Sequence, residues 1–327
     1  MFALQDTFER KFAYLRLSVT EACNFRCVYC LPNGLSRQPE PENYLSVPEI
    51  RRLVSAFSGM GFWKIRITGG EPTLRVDILE IAKSVAEVPG VTRVALSTNA
   101  YRLKKIARDL KSAGVTHLNV SLDSLDRETF HEITGFDKLS DVLSGIETAL
   151  GLGFAGVKVN AVLMKGRNDE ALSTFQEWIR DIPVSVRFIE LMRTGENENL
   201  FSRHHAPATF LQEQLLVQGW KRLARLDGDG PAVEFRHPDY AGAIGIIAPY
   251  SPDFCSTCNR LRISSRGDLR LCLFGEGGYS LRHLLQSDDQ EGELQETVHR
   301  LMGEKKESHY LQEGQYGSTR NFASIGG

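Results

Sequence analysis

The stretch YLRLSVTEACNFRCVYC (residues 14–30) joins a strand pattern directly to three closely spaced cysteines. Polar and apolar residues alternate over 15–18, which is the two-residue period of a β-strand. The cysteines follow with the spacing C-x3-C-x2-C, at Cys23, Cys27 and Cys30. Thiolates this close in sequence can converge on a metal centre from one loop, so the stretch predicts a metal-binding loop at the end of a strand.

The remaining cysteines form a second triplet, Cys255, Cys258 and Cys272. A four-iron cluster takes four ligands, and each triplet offers three, because the chain has six cysteines in all. We therefore predict two iron–sulfur clusters, each with one coordination position left open to a small molecule.

Two other uses of these cysteines are weaker hypotheses. Three disulfides are arithmetically possible, but they are typical of small secreted proteins, and residues 1–10 contain no apolar leader segment. A zinc site would need a histidine as its fourth ligand. None of the candidates has finger-like spacing from a triplet: His204, His205, His283 and His299.

The composition is that of an ordinary globular protein, and 327 residues are enough for about two domains. A net charge of −2 predicts no bulk attraction to nucleic acid or to anionic membranes. The apolar run at 240–250 is too short to cross a bilayer. We expect a cytoplasmic protein that works in a reducing compartment.

Six strand patterns alternate with helix patterns over the first two thirds of the chain. The strands are predicted at 14–20, 64–68, 93–98, 117–122, 157–164 and 184–191. The helices are predicted near 46–58, 76–87, 102–113, 140–151 and 169–180. The first helix opens with a capping box, in which Ser46 is followed by Glu49. This order predicts a parallel α/β barrel or an open parallel sheet.

The predicted strands alternate, whereas a parallel sheet covered on both faces reads as continuous aliphatic runs. Arg, Lys, Ser, Thr and Asn take every second position at 15–18, 65–68, 118–121 and 157–160. With helices on the aliphatic face, the polar face would line an open cavity for an anionic ligand. An antiparallel sheet with one solvated face would show the same alternation, but the intervening helices favour the cavity.

After the last of these strands the alternation stops. A helix is predicted near 207–218 and a hairpin over 260–273. We place a domain boundary near residue 225. It divides the chain into 1–225, which contains the first triplet, and 226–327, which contains the second.

Two motifs resemble those of the radical S-adenosylmethionine superfamily. The first triplet, with Tyr29 before its last cysteine, matches the cysteine signature, and Thr68-Gly-Gly-Glu-Pro72 matches the glycine-rich loop for the methionine moiety. The resemblance implies a partial (β/α)6 TIM-type barrel with a smaller C-terminal cluster-binding domain. It also implies that S-adenosylmethionine binds the open iron of the first cluster and is cleaved to a 5′-deoxyadenosyl radical.

The second triplet, followed by Asn259-Arg-Leu-Arg262, is similar to that of the GTP 3′,8-cyclase family, and the likeness extends over essentially the whole chain. It implies a lyase that converts GTP to (8S)-3′,8-cyclo-7,8-dihydroguanosine 5′-triphosphate, the first step of molybdopterin synthesis. Guanine would engage the open iron of the second cluster. The alternatives are another radical S-adenosylmethionine enzyme, such as a peptide-modifying maturase, a two-cluster electron carrier, and an RNA-binding zinc protein.

The resemblance to the cyclase family also implies roles for single residues. S-adenosylmethionine would contact Tyr29, Gly70, Ser121 and Met192. GTP would contact Arg16, Arg66, Ser97, Lys158, Arg260 and Arg262. Arg16, Gly326 and Gly327 would take part in catalysis, and the two glycines could approach the reactants closely because they have no side chain.

The partners implied are GTP, an external electron donor of the flavodoxin or ferredoxin type, and the next enzyme of the molybdopterin pathway. We expect a monomer or homodimer that binds neither nucleic acid nor membrane.

Overall fold

The computed structural model describes residues 4–32, 34, 41–226 and 228–326. The first described element is an antiparallel hairpin of β1 (Leu4–Gln5) and β2 (Lys11–Phe12). Six parallel strands then lie side by side in chain order: β3 (Tyr14–Ser18), β4 (Lys64–Thr68), β5 (Arg93–Thr98), β6 (His117–Ser121), β7 (Gly156–Leu163) and β8 (Ser185–Glu190). Each lies within two residues of its predicted position, and the predicted α/β class with a parallel sheet is confirmed.

Helices connect these strands and continue beyond them. The described helices are α1 (Val47–Gly59), α2 (Ile78–Ala86), α3 (Leu103–Ser112), α4 (Arg127–Thr134), α5 (Leu139–Gly151), α6 (Ala171–Trp178), α7 (Glu198–His204), α8 (Thr209–Val217) and α9 (Glu291–Met302). We did not predict α7 or α9, nor α4, which is short. Its ends are nevertheless marked, because Asp126 Oδ1 accepts from the Thr129 amide at 2.8 Å and Gly135 follows in a left-handed conformation.

The predicted capping box at the start of α1 is present. The Glu49 carboxylate accepts from the Ser46 amide at 2.7 Å, and the Ser46 hydroxyl accepts from the Glu49 amide at 3.4 Å. Glu49 also accepts from Arg282 Nε at 2.8 Å. The same side chain therefore stabilises the helix start and joins it to a segment far along the chain.

The last third of the chain adds strands to both edges of the parallel sheet. These strands are β9 (Lys221–Arg222), β10 (Val233–Arg236), β11 (Ala243–Ile247), β12 (Arg260–Ile263), β13 (Asp268–Arg270) and β14 (Tyr279–Ser280). β11 pairs in parallel with β8, and β12 pairs in parallel with β3. β12 and β13 form the predicted hairpin. The resulting order is β14-β13-β12-β3-β4-β5-β6-β7-β8-β11-β10-β9.

The two faces of the sheet differ as the alternation predicted. Aliphatic side chains of the strands are fully buried in the main core, among them Leu15, Leu17, Ile65, Ile67, Leu118 and Val120. Polar side chains of strands β3 to β8 line one shared cavity, so the sheet curves around it as a partial barrel. The described strands β9 and β14 end the sheet on its two sides.

None of the helices within the described ranges combines the length and apolar character needed to span a bilayer. The boundary near residue 225 stays a prediction, which we retain as a proposal.

Candidate active site

A single cavity brings together most of the predicted substrate residues and the second triplet. Its lining includes the following predicted residues: Arg16, Arg66, Ser97, Ser121, Met192, Cys255, Cys258, Arg260, Arg262 and Cys272. They come from strands β12 and β3 to β6, from the segment after β8, and from the loops before β12 and after β13. Residues more than 200 positions apart in sequence therefore face the same space.

Two rows of paired residues cross the inner face of β12, β3 and β4. The first row is Arg260, Tyr14 and Lys64; the second row is Arg262, Arg16 and Arg66. Burial lowers the pKa of each arginine in the second row to about 10. We call these two rows the cationic wall. The arginines remain charged near neutral pH, so the cationic wall concentrates positive charge where little water can screen it.

Spare hydrogen-bond donors accompany this charge. The buried Nε atoms of Arg66, Arg260 and Arg262 have no hydrogen-bond partner in the described part of the chain. A buried polar atom without a partner is costly, so an acceptor that enters the cavity would be favoured. The wall therefore fits an anion with several oxygens better than a neutral ligand.

Tyr14 is a cavity residue that our sequence analysis missed. It is buried, and its hydroxyl also has no partner among the described residues. Lys64 Nζ lies 4.3 Å from the centre of its ring. Burial would raise the pKa of Tyr14, but the charges of Arg66 and Arg16 outweigh it and lower that pKa below its usual value. Tyr14 lies two positions before Arg16, and the strand period was the signal that it shares the same face.

Lys158 lies on β7 near the cavity, although it is not one of the lining residues. Burial, together with the nearby charge of Arg187, lowers its pKa to about 8. Arg187 lines the cavity and was not predicted; its Nη2 donates to Glu234 Oε1 at 2.5 Å. The single carboxylate of Glu234 offsets only part of the positive charge at this end of the cavity.

The first triplet lies outside this cavity, in the loop that follows β3. A hydrogen bond joins this loop to the end of α4: the Val28 amide donates to the Ile133 carbonyl at 2.9 Å. Burial raises the pKa of Cys23 to about 11 and that of Cys30 to about 12. Thiols bind metal as thiolates, so a bound cationic centre is what would keep these groups deprotonated.

The second triplet has a different electrostatic environment. Burial alone would raise the pKa of Cys258, but the charges of Arg260 and Lys305 outweigh it and lower the pKa to about 6. Ser308 Oγ lies 3.8 Å from the Cys255 sulfur. Cys258 is therefore favoured as a thiolate ligand even before a metal binds, whereas burial raises the pKa of Cys255.

No three His, Cys, Asp or Glu side chains within the described ranges are close enough to hold one metal ion. The sulfur ligands of a multinuclear cluster bind different irons and stand further apart than the ligands of a single ion. The donor chemistry of the two triplets, three thiolates each, fits iron–sulfur clusters.

A buried asparagine joins two of the residues predicted to contact S-adenosylmethionine. Asn197 Nδ2 donates to the Tyr29 carbonyl at 3.1 Å and to the Met192 carbonyl at 3.0 Å. The Tyr29 hydroxyl in turn donates to Asp123 Oδ2 at 3.0 Å. Sequence reasoning missed Asn197 and Asp123, since neither belongs to a motif that we recognised.

Gly70 lies where the loop after β4 crosses the start of the cysteine loop. A Cβ at this position would lie 2.3 Å from the Ala22 carbonyl oxygen. The Gly70 amide donates to the Thr20 carbonyl at 2.9 Å. The glycine is therefore required by backbone packing against the cysteine loop, whatever contact it makes with a ligand.

The C-terminal tail reaches the cationic wall. Arg16 Nη2 donates to the Gly326 carbonyl at 2.9 Å. Gly326 has a left-handed backbone with φ of 64°, and a Cβ there would lie 2.3 Å from Thr68 Cγ2. Gly327, the other predicted tail residue, lies outside the described residues.

Comparison with known families defines the class of this site. The Radical SAM superfamily model matches residues 17–179, and the Molybdenum Cofactor Synthesis C model matches residues 184–311. The crystal structure of Streptococcus suis SuiB bound to S-adenosylmethionine superposes with a TM-score of 0.62 at 13% identity, covering 87% of this chain and 68% of that one. The fold and the cysteine loop are those of a radical S-adenosylmethionine enzyme, a class that uses S-adenosylmethionine with an iron–sulfur cluster.

The relatives narrow the class further. A GTP 3′,8-cyclase of Aeromonas hydrophila subsp. hydrophila is 52% identical, covering 100% of this chain and 97% of that protein. A GTP 3′,8-cyclase of Vibrio parahaemolyticus serotype O3:K6 is also 52% identical, covering 99% and 97%. The chain belongs to the GTP 3′,8-cyclase family, and the predicted membership is confirmed.

Proposed function

We propose that this chain converts GTP to (8S)-3′,8-cyclo-7,8-dihydroguanosine 5′-triphosphate, the first step of molybdopterin synthesis. The observation that supports this most is the cavity in which cationic strand residues and the second triplet face one space. A nucleoside triphosphate needs fixed positive charge for its phosphates. In this family the base also needs an iron with an open position.

The cationic wall would bind the triphosphate. Arg66 and Lys158 offer positive charge from β4 and β7. The Tyr14 hydroxyl lies among these cations and has no partner within the described ranges. In the bound complex this hydroxyl would donate to a phosphate oxygen. Arg260 and Arg262 follow Cys258 closely in sequence and would contact the part of GTP nearest the second cluster.

The first triplet would hold a cluster whose fourth iron is left for S-adenosylmethionine. When bound, the reduced cluster supplies the electron that cleaves S-adenosylmethionine and so starts the reaction. The role of the protein residues is to orient the reactants. Asn197 fixes the backbone of Tyr29 and Met192, and Ser121 lies at the end of β6 on the cavity wall.

Exclusion of water would come from the tail and the buried wall. Gly326 approaches Arg16 through its backbone carbonyl, which a residue with a side chain could not do without displacing Thr68. Arg16 and Gly326 are therefore our candidates for residues that enclose the reacting atoms, and an enclosed site protects a reactive species from side reactions.

One assay tests the proposed reaction. The protein is reconstituted with iron and sulfide without oxygen, reduced, and supplied with S-adenosylmethionine and either GTP, another nucleotide or none. We expect about eight irons per chain and release of 5′-deoxyadenosine that depends on GTP. Release that is indifferent to GTP would refute the cyclase and favour another radical enzyme, such as a peptide-modifying maturase.

A pair of cysteine variants separates the two triplets. Cys272→Ser should retain S-adenosylmethionine binding and lose GTP turnover, because it removes a ligand of the second cluster alone. The matched control, Cys27→Ser, should lose both properties. Loss of S-adenosylmethionine binding in Cys272→Ser would mean that the two sites are assigned in reverse.

Several parts of the proposed function depend on the family resemblance alone. They are the external electron donor of the flavodoxin or ferredoxin type, the transfer of product to the next molybdopterin enzyme, the cytoplasmic location, and the state as monomer or homodimer. Pull-down and gel filtration of the reconstituted protein would test the partners and the oligomeric state.

A further inference from the structure

The hairpin of β1 and β2 contains a buried ion pair whose position the reaction above does not explain. Arg10 Nε donates to Asp6 Oδ2 at 2.7 Å, and the Arg10 amide donates to Asp6 Oδ1 at 3.0 Å. The two side chains are 6% and 0% exposed. Asp6 thus fixes the direction of the guanidinium, leaving its other N–H groups to bind partners elsewhere.

Those partners are three backbone carbonyls from two distant segments. Arg10 Nη1 donates to the Cys255 carbonyl at 3.0 Å and to the Glu307 carbonyl at 2.6 Å. Arg10 Nη2 donates to the Lys306 carbonyl at 2.8 Å. The planar fork of a guanidinium can hold several acceptors in fixed directions at once. One side chain therefore ties the first cysteine of the second triplet to the segment after α9.

The opposite side of the same triplet is held by Lys305. This lysine is buried, and its Nζ donates to the Leu271 carbonyl, directly before Cys272. Its Nζ also lies 5.4 Å from the centre of the Phe12 ring, at the end of the hairpin. We call Asp6, Arg10, Phe12 and Lys305 the hairpin clamp.

We propose that Arg10 and Lys305 of the hairpin clamp are positioning residues for the second cluster. They hold the backbone at Cys255 and at Leu271, so the thiolates on either side of the cluster keep the separation that the cluster needs. This inference rests on the two-cluster site of the proposed function. Outer partners that orient ligands have large effects on metal sites, although they never touch the metal.

A general contribution to stability explains the clamp less well. Replacing a buried ion pair by apolar residues is often neutral or stabilising, so such a pair is weak evidence for a role in stability. The Arg10 contacts are also concentrated: apart from Asp6 and the nearby ring of Phe8, its partners belong to the cysteine loop and to residues 306–307.

The experiment compares Arg10→Gln and Lys305→Met with the wild-type chain, each reconstituted with iron and sulfide without oxygen. We expect iron to fall from about eight to about four per chain, with loss of the second cluster's signal in electron paramagnetic resonance. Cleavage of S-adenosylmethionine without GTP should stay within about twofold of wild type, while GTP turnover falls by at least about tenfold. Arg10→Lys should restore iron only in part, because an ammonium lacks the planar fork.

The matched control is Arg52→Gln. Arg52 also pairs with a carboxylate, Asp288, at 2.6 Å and with the Leu285 carbonyl at 3.0 Å, and neither partner belongs to a cysteine loop. Its iron content should equal that of wild type.

Each other outcome is decisive. Full iron and full GTP turnover in both clamp variants would overturn the inference while leaving the proposed function intact. Equal loss of both clusters with a lower melting temperature would show a general fold brace and would also overturn it. Four irons in the wild-type chain would instead refute the two-cluster site itself.

Discussion

Tyr14→Phe removes one hydroxyl from the cationic wall and leaves the ring in place. In the free protein this hydroxyl is buried and has no hydrogen-bond partner among the described residues, which costs about 1–3 kcal/mol. We therefore expect the free energy of unfolding of the variant to exceed that of wild type by about 1 kcal/mol. Thermal or denaturant unfolding of the apoprotein measures this directly.

The same change should weaken GTP binding. A hydrogen bond from the hydroxyl to a charged phosphate oxygen contributes about 1.5–3 kcal/mol, which corresponds to roughly a ten- to hundredfold rise in the Kd for GTP. The Kd for guanosine should not change, because guanosine has no phosphate. Equilibrium dialysis with both ligands, together with cleavage of S-adenosylmethionine in the absence of GTP, separates substrate binding from damage to the first cluster.

Tyr44→Phe is the matched control. The Tyr44 hydroxyl accepts from the Glu21 amide at 3.1 Å, so its loss should lower stability by about 1 kcal/mol and leave GTP affinity unchanged. The reasoning on Tyr14 is refuted if Tyr14→Phe binds GTP within twofold of wild type. It is also refuted if the loss of affinity comes with a comparable loss of stability, since the effect would then act through the fold.

Two further predictions concern the tail and the first helix. Gly326→Ala should abolish GTP turnover with both clusters retained, because its Cβ would meet Thr68 at 2.3 Å, whereas Gly314→Ala, at a similar positive φ with open space around it, should keep turnover. Glu49→Gln should lower the free energy of unfolding by about 2 kcal/mol at pH 7, less than the full pKa shift implies, because solvent around the partly exposed Arg282 screens the pairing. Burial would raise the pKa of Glu49, but its hydrogen bonds to Arg282 and to the helix start lower it to about 2. The stability due to this depressed pKa is present above pH ~4.5 and is lost as the pH falls toward 2, so the wild-type and variant curves should converge over that interval. Parallel curves would contradict this assignment.

The strands that line the cavity were predictable because their alternation is a local property. The same period had already placed Asn160 with Lys158 on the polar face, and it also places Tyr14 with Arg16, so the missed Tyr14 had a usable signal. The alternation was applied to 15–18, which excludes position 14, and it was not applied to the predicted strand at 184–191. Arg187 was missed for the same reason.

Other parts of the site have no local signal. Arg10 and Cys255 are 245 positions apart, and nothing in either segment states that a guanidinium binds that carbonyl. Asn197 is likewise one polar residue in a polar stretch until the fold brings the Tyr29 and Met192 carbonyls to it. The pairing of β12 with β3 and of β11 with β8 depends on long-range packing, which short strand patterns do not encode.

Because β11 and β12 supply the outer parallel partners of β8 and β3, the sheet is completed late in synthesis. A nascent chain that has just emerged through β8 carries two edges with unpaired amides and carbonyls, and such edges recruit strands from other chains. The residues that finish the cavity are thus also the ones that cap these edges. A ribosome-bound fragment ending near residue 200 should need a chaperone, and one ending after residue 263 should need it far less.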